Sequence, residues 1–130
     1  MEFEFVPNEK KFWEFIRLLR TNLLTSSGFV EQVHISPRQQ IKYMTKYEKC
    51  YYICLFNGDP VGFIGSVDGD IRIATLPGYQ RRGVGTFMVN ELMKISPKSF
   101  AKIKVDNEVS LKFFKKLGFE QSFYIMEKKP

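Results

Sequence analysis

The sequence predicts a single α/β domain over residues 1–130, with one sheet and about four helices. Short β-former runs alternate with amphipathic helical stretches, two of the runs are joined by a tight turn, and 130 residues suit one core. Hydrophobic residues make up 44% of the chain and 13 of them are Phe, so we expect an interior rich in aromatic rings. The predicted element order is β-α-α-β-β-β-α-β-α-β.

The first half of the chain predicts a strand, two helices and a hairpin. Residues 2–6 alternate polar and apolar side chains, as a strand does. Apolar residues at helical spacing then predict two helices, the second with Ser36 as N-cap and Pro37 as its first residue. The positions of these two patterns are Phe12, Ile16, Leu19 and Leu23, then Ile41, Met44 and Tyr47. Two β-former runs, residues 50–56 and 61–67, flank an Asn-Gly turn signal and predict a hairpin.

The second half predicts three more strands and two more helices. The β-former runs are residues 71–75, 101–105 and 119–126. A helix follows the first run, and a helix from Glu108 to Leu117, stopped by Gly118, follows the second. The apolar positions of the first of these helices are Val84, Met88, Leu92 and Ile95.

Composition sets limits on function. The net charge is +6 at pH 7, and because the basic residues are scattered, we interpret most of them as solvated surface. Every segment is interrupted by charged residues, and the acidic, alternating N-terminus is unlike a signal peptide, so we expect a cytoplasmic protein. Cys50 and Cys54 would lie on one strand face as two buried thiols, and one histidine, His34, makes no convincing metal site.

The joint between residues 71–75 and the following helix is the most informative segment. It reads Pro77-Gly78-Tyr79-Gln80-Arg81-Arg82-Gly83-Val84-Gly85-Thr86. The first turn of a helix carries unpaired backbone N–H groups and attracts anions, and glycine lets a ligand approach the backbone, so the joint predicts a phosphate cradle. It lacks the Lys of a Walker A loop, and Met88 replaces the third glycine of a dinucleotide fingerprint. A basic turn that merely joins strand and helix is the structural alternative.

The joint, read as Gln80-Arg81-Arg82-Gly83-Val84-Gly85, resembles the pyrophosphate loop of the GNAT family of N-acetyltransferases, which bind acyl-coenzyme A. A second segment, Asn107 to Phe119, is similar to that family's Asn-x-x-Ala-x-x-x-Tyr-x-x-x-Gly-Phe pattern, and the predicted element order matches the family's fold. The resemblance covers essentially the whole chain. It implies a mixed, mostly antiparallel sheet whose fourth and fifth strands splay apart to admit the pantetheine arm of acetyl-CoA.

The resemblance also implies which residues bind the cofactor. Backbone groups of the fourth strand would pair with the pantetheine amides, and those of the joint would hold the pyrophosphate. Asn107 would bind coenzyme A or, alternatively, cap the next helix. The implied cofactor-binding residues are Ile73, Ala74, Thr75, Gln80, Arg81, Arg82, Gly83, Val84, Gly85, Thr86, Asn107 and Phe114.

Direct attack of an amine on a thioester implies a base for the amine proton and an acid for the departing thiolate. Asp70, near the fourth strand, and His34, between the first two helices, are the candidate bases; a turn and a surface position are their structural alternatives. The family often carries a Tyr acid where Phe114 stands. Because Phe has no proton to give, Ser110 and Tyr124 are the candidate acids.

The acceptor amine is left open. Residues 33–44 faintly resemble a stretch of amino-sugar acetyltransferases of glycan pathways, so a nucleotide-linked amino sugar is the first expectation. Peptide N-termini, lysine side chains and polyamines are alternatives, as is an acyl-CoA-binding module without turnover. We expect a monomer or homodimer that binds a small-molecule amine and neither nucleic acid nor membrane.

Overall fold

The computed structural model describes residues 2–21 and 34–130, and every structural statement below refers to these ranges. In chain order its elements are β1 Phe3–Pro7, α1 Trp13–Thr21, α2 Pro37–Tyr47, β2 Tyr51–Phe56, β3 Asp59–Val67, β4 Asp70–Thr75, α3 Val84–Ile95 and α4 Glu108–Lys116. Short 3-10 turns cover Lys10–Phe12, Glu48–Cys50 and Pro77–Tyr79. The predicted position Leu23 lies outside the described residues. No described helix has the length and apolar character needed to cross a membrane.

The four strands form one antiparallel sheet in the order β1-β2-β3-β4. The predicted hairpin between β2 and β3 is confirmed, with Ile53 opposite Phe63. Its turn residues Asn57 and Gly58 have φ angles of 51° and 84°, and this pair of positive φ angles matches the twist of an antiparallel hairpin. β3 continues through a second tight turn into β4, where Ile64 lies opposite Ile73.

Each face of the sheet packs against two helices and has its own hydrophobic cluster. Successive strand residues belong to opposite faces, so Phe63 contributes to one cluster and Ile64 to the other. The first cluster, beneath α1 and α2, contains Phe12, Ile16, Leu19, Met44, Tyr51, Ile53, Phe63, Val67 and Ala74. The second cluster, beneath α3 and α4, contains Cys54, Val61, Ile64, Ile71, Val84, Met88, Val89, Leu92 and Phe114.

Two of the predicted strands are wrong. Residues 101–105 and 119–126 form no strand; Phe100 alone makes an isolated parallel bridge with Asp70. The Ile71 N–H donates to the Phe100 carbonyl oxygen at 2.9 Å, and the chain then diverges from β4. The β-former pattern of both runs is real, but a strand also needs a neighbour to pair with. After the one bridge at Phe100, no fifth strand follows among the described residues, so the expected pair of splayed fourth and fifth strands is not formed.

The helices begin where the sequence predicts, but their buried positions differ in part. Ser36 Oγ accepts from the Gln39 N–H at 3.1 Å and the Gln39 side chain accepts from the Ser36 N–H at 2.8 Å, so the predicted N-cap of α2 is confirmed as a full capping box. Ile41 and Ile95 are more than half exposed although they keep the helical spacing. Gln40 is buried instead, and its Nε2 donates to the Trp13 carbonyl oxygen at 2.7 Å.

The two cysteines do not share a strand face, which corrects the expectation from their spacing. Cys50 belongs to the 3-10 turn before β2 and packs against the first cluster, whereas Cys54 lies in β2 and in the second cluster. Both thiols are free. Burial raises the pKa of the Cys54 thiol to about 11, so this thiol stays protonated near neutral pH.

Candidate active site

The joint between β4 and α3 presents the first turn of α3 without a side-chain cap. Arg81 and Gly83 have φ angles of 65° and 85°, both in the left-handed region, and Gly83 is the N-cap of α3. Because the N-cap is glycine, no capping side chain accepts from the N–H groups of the first turn. These donors lie at the positive end of the helix dipole, as an anion site requires.

The two glycines of the joint have different surroundings. A Cβ atom on Gly83 would meet no atom of the described residues within 4 Å, so among them the space over this part of the backbone is open. A Cβ atom on Gly85 would lie 3.1 Å from Cζ of Phe113 in α4. Gly83 is thus where a ligand can reach the backbone, while Gly85 lets α3 and α4 approach each other closely. A larger residue at position 85 would therefore disturb helix packing as well as any bound ligand.

An aromatic anchor, missed by the sequence reasoning, holds the joint against the sheet. The ring of Tyr79 packs against Phe56 at the end of β2, with ring centroids 5.9 Å apart, and contacts the second cluster. The Arg82 guanidinium lies over the Tyr79 ring, with its Cζ 5.2 Å from the ring centroid. The side chains of Gln80 and Arg81 are exposed. An aromatic residue inside a glycine-containing turn was the available signal for this anchor.

The outer edge of β4, the edge facing away from β3, is open along its second half. The Ile71 N–H bonds to Phe100 on this edge. Because alternate strand residues direct their backbone groups to the same edge, Ile73 and Thr75 also present N–H and C=O there, while Ala74 directs its groups toward β3. Among the described residues no strand pairs with this edge beyond Phe100. An extended, amide-bearing ligand therefore has backbone partners at two of the three predicted positions.

The open edge leads straight to the uncapped helix. β4 ends at Thr75, the 3-10 turn Pro77–Tyr79 and the joint follow, and α3 begins at Val84. Two free strand positions are thus followed, in the same chain direction, by a set of backbone donors at a helix N-terminus. This arrangement fits a long ligand with amides along its arm and an anionic group at its end.

The two candidate bases lie in different parts of the fold. Asp70 begins β4, beside the bridge, and its Oδ2 lies 3.4 Å from Nε of Arg72 in an ion pair. At the usual rise per strand residue, Asp70 is about 10 Å along β4 from Ile73. His34 is exposed and lines an open cleft of about 300 Å³ beside α1 and α2. The other residues that line this cleft are Arg20, Ile35, Gln39 and Tyr43.

Asn107 and the two candidate acids lie at the start of α4, within it and beyond its end. Asn107 Oδ1 accepts from the Ser110 N–H at 3.1 Å, which confirms the helix-cap alternative for this side-chain oxygen. Ser110 is half-buried in the first turn of α4, and Tyr124 is 85% exposed beyond its end. Phe114 is buried in the second cluster, where its ring packs edge-on against two neighbouring phenylalanines, so its side chain is part of the core.

A pair of tyrosine hydroxyls on the α1 and α2 face was also missed. The hydroxyl oxygens of Tyr43 in α2 and Tyr51 in β2 are 2.7 Å apart. Burial, and then the neighbouring Tyr43, raise the pKa of the Tyr51 phenol, while Arg20 and Arg72 act in the opposite direction. The Arg20 guanidinium lies 5.3 Å from the centroid of the Tyr43 ring. The sequence carries no signal for this pair, since both tyrosines fit ordinary apolar positions.

Comparison with known protein families identifies the class of protein. The model of the acetyltransferase (GNAT) family matches residues 14–119. This range includes the joint, the open edge of β4 and most of the helices that cover the sheet. Because it is well over half of the chain, the chain belongs to the GNAT family, and the resemblance seen in the two motifs is confirmed.

Individual relatives agree with this assignment. An uncharacterized N-acetyltransferase of Methanocaldococcus jannaschii is 28% identical over 95 residues, which cover 60% of this chain but only 42% of that protein. The spermidine N-acetyltransferase of Vibrio cholerae, solved with CoA and spermine, has a TM-score of 0.84 at 14% identity over 97% of this chain and 85% of that chain. An aminoglycoside N-acetyltransferase solved with CoA has a TM-score of 0.75 at 16% identity over 99% and 95% of the two chains. The solved structures confirm the predicted fold class.

Proposed function

We propose that this chain is an acetyl-CoA-dependent N-acetyltransferase that moves the acetyl group to a primary amine by direct attack. The observation that carries the proposal is the open outer edge of β4, which leads into the uncapped first turn of α3. Family membership supports the transfer reaction, since the relatives compared above are N-acetyltransferases and two were solved with CoA. The chain's own residues support it at three positions: the joint, the outer edge of β4, and the cleft beside α1 and α2, where an acceptor amine could bind.

The joint fits the pyrophosphate of coenzyme A. The backbone N–H groups of Val84, Gly85 and Thr86 supply donors at the positive end of α3. The open space over Gly83 lets phosphate oxygens come within hydrogen-bond distance of this backbone. The exposed Arg82 guanidinium, held over Tyr79, adds positive charge at the same end of the sheet.

The outer edge of β4 fits the pantetheine arm. Its two amides would pair with the backbone groups of Ile73 and Thr75 in the way that an added strand pairs with a sheet edge. The bridge at Phe100 limits the open edge on the other side, so the reactive end of the arm would lie between this bridge and Thr75. At that position a backbone N–H of the β4 edge would stabilise the negative charge that develops on the oxygen of the thioester carbonyl during the reaction.

Bound acetyl-CoA supplies a thioester, from which a neutral amine takes the acetyl group with release of the thiol. The chain's own groups would orient the amine and accept its proton. Asp70 and His34 stay the candidate bases, and Ser110 and Tyr124 the candidate acids. The distance of about 10 Å from Asp70 to Ile73 favours proton transfer through water rather than direct contact.

We further propose an acceptor that carries negative charge, with a nucleotide-linked amino sugar as the first choice. A cationic residue beside α1 and α2 supports this: Arg20 lines the cleft that also contains His34, and its guanidinium lies 5.3 Å from the centroid of the Tyr43 ring. A net charge of +6 acts in the same direction and disfavours polycationic acceptors such as spermidine. A peptide amine is the alternative acceptor. The core position of Phe114, where the family often has Tyr, favours a non-catalytic acyl-CoA-binding module as the alternative activity.

The test combines cofactor binding with a screen of amines. Thermal unfolding with acetyl-CoA at about 100 times its Kd should show about 2.7 kcal/mol of added stability, because the ligand binds the native state. Thiol release should then be measured with a nucleotide amino sugar, the same amino sugar without the nucleotide, spermidine and a short peptide. We expect the nucleotide amino sugar to react fastest.

Three results would contradict parts of this proposal. No stabilisation by acetyl-CoA would remove the acetyltransferase proposal altogether. Stabilisation without thiol release from any amine would favour the binding module. Faster release with spermidine than with the nucleotide amino sugar would leave the enzyme proposal standing but overturn the anionic acceptor.

A further inference from the structure

The side chain of Arg17 in α1 joins two separate parts of the chain. Its Nε donates to both carboxylate oxygens of Glu14, at 2.9 and 3.1 Å. Its Nη1 donates to the backbone carbonyl oxygen of Ile35 at 3.0 Å. Arginine side chains are mostly exposed, but this one is only 18% exposed. Arg17 is therefore a junction between α1 and residues 34–36, the described residues before α2, here called the entry segment.

The bond from Arg17 fixes a carbonyl group that no helix holds. Ile35 precedes Ser36, the N-cap of α2, and the first carbonyl oxygen that accepts a helical bond is that of Ser36, from the Gln40 N–H at 3.0 Å. The capping box orients Ser36 relative to α2 alone. The bond from Arg17 to Ile35 adds a tie to α1. Together the two sets of bonds fix the direction in which the chain enters α2.

The shape of the guanidinium explains why one side chain can make both contacts. Its N–H groups lie in one plane and in fixed directions, and Glu14 accepts from Nε and Nη2, which leaves Nη1 for Ile35. The hydrogen bond from Arg17 lowers the pKa of Glu14, so this carboxylate is ionised at neutral pH. Glu14 thus sets the orientation of the guanidinium that holds Ile35. A lysine at position 17 would keep the charge but lose the fixed directions.

The entry segment forms part of the cleft beside α1 and α2. His34 and Ile35 line this cleft, and Arg20 lines it from α1, three positions after Arg17. Because Arg17 ties the Ile35 backbone to α1, the same bond limits how far His34 can move away from Arg20. Arg17 itself is not among the described residues that line the cleft. Any effect of Arg17 on a molecule bound there would therefore pass through the backbone of Ile35.

We propose that Arg17 is a positioning residue for the acceptor amine: oriented by Glu14, it holds the entry segment against α1 and so sets the separation of His34 and Arg20 across the cleft. This inference rests on the proposed function, since it takes the cleft as the place where the acceptor binds. The competing explanation is an ion pair between helix neighbours three positions apart, which would stabilise α1 slightly and leave the cleft unaffected.

The first test measures thiol release by the full chain, with the amine of the panel above that the wild type acetylates fastest. Arg17→Lys and Glu14→Ala should raise the KM for that amine at least about fivefold, and change the Kd for acetyl-CoA less than about twofold, because the proposed cofactor site lies on β4 and α3. The matched control is Glu91→Ala. It removes the acidic partner of another ion pair with three-residue spacing, to Lys94 in α3, and should leave the KM unchanged.

Hydrogen exchange, followed by NMR, provides a second readout that needs no turnover. The N–H groups of Ser36 and Gln39, which the capping box protects, should exchange at least about tenfold faster in Arg17→Lys and Glu14→Ala than in the wild type or Glu91→Ala. Unchanged exchange, or an unchanged KM in a wild-type background that releases thiol, would overturn the role of Arg17 and leave the proposed function standing. No thiol release by the wild type with any amine would overturn the proposed function, and the role of Arg17 toward an acceptor with it.

Discussion

Replacement of Gly83 by alanine should separate the role of the joint in cofactor binding from its role in folding. At a φ of 85° an alanine costs about 1–2 kcal/mol, although its methyl group would meet no atom within 4 Å. In a chain of 130 residues that cost lowers Tm by about 3–8 °C. The methyl group would also occupy the space that a phosphate needs. We therefore expect the Kd for acetyl-CoA, measured by calorimetry, to rise at least about tenfold, or about 1.4 kcal/mol.

Gly58→Ala is a closely matched control for this prediction. Gly58 has a φ of 84°, and a Cβ atom there would also meet nothing within 4 Å, but the residue lies in the turn between β2 and β3. Gly58→Ala should lower Tm by a similar amount and change the Kd for acetyl-CoA less than about twofold. Arg82→Ala should weaken binding less than Gly83→Ala, because the backbone donors remain. Equal Kd values for Gly83→Ala and Gly58→Ala would refute the assignment of the joint as the phosphate site.

Two further predictions concern single side chains. Asn107→Ala should lower the free energy of unfolding by about 1 kcal/mol, because the Ser110 N–H loses the oxygen that accepts from it. Asn107→Asp should leave the stability unchanged, because aspartate keeps that capping oxygen. Weaker acetyl-CoA binding by Asn107→Asp at unchanged stability would show that Asn107 also lies near the cofactor. The raised pKa of Cys54, about 11, predicts that unfolding becomes easier as pH rises from about 9 toward 11, since the unfolded chain loses a thiol proton that the folded chain keeps. The free energy of unfolding, measured with urea, should fall less steeply with pH between pH 8.5 and 10 in Cys54→Ala than in the wild type. An equal pH dependence in the two proteins would contradict the burial argument.

The parts of the fold that the sequence predicted correctly depend on neighbours in the chain. The capping box of α2 joins Ser36 and Gln39, three residues apart, and the hairpin turn depends on Asn57 and Gly58 alone. The failures depend on distant partners. Whether residues 101–105 become a strand is decided by pairing with β4, and this pairing stops at Phe100. An alternating pattern reports which side chains are apolar and says nothing about a partner strand.

The candidate site divides in the same way. The joint between β4 and α3 could be predicted because its glycines, its arginines and the helix start are contiguous in sequence. The role of Gly85 in helix packing depends on Phe113, which is 28 positions away, and no local pattern shows that contact. The hydroxyl pair of Tyr43 and Tyr51 likewise needs the packing of α2 on β2. Side-chain chemistry that is assembled from separate elements is therefore the part that one sequence shows least.

The early divergence of the chain from β4 accounts for the place of the proposed cofactor site. After the bridge at Phe100, the outer edge of β4 has no strand of the described residues beside it. The amides of a pantetheine arm can offer its backbone groups the hydrogen bonds that a neighbouring strand would make. The same edge ends at the positive end of α3, where the anionic part of the ligand would lie. One departure of the chain from regular pairing thus leaves the space that both parts of the proposed ligand need.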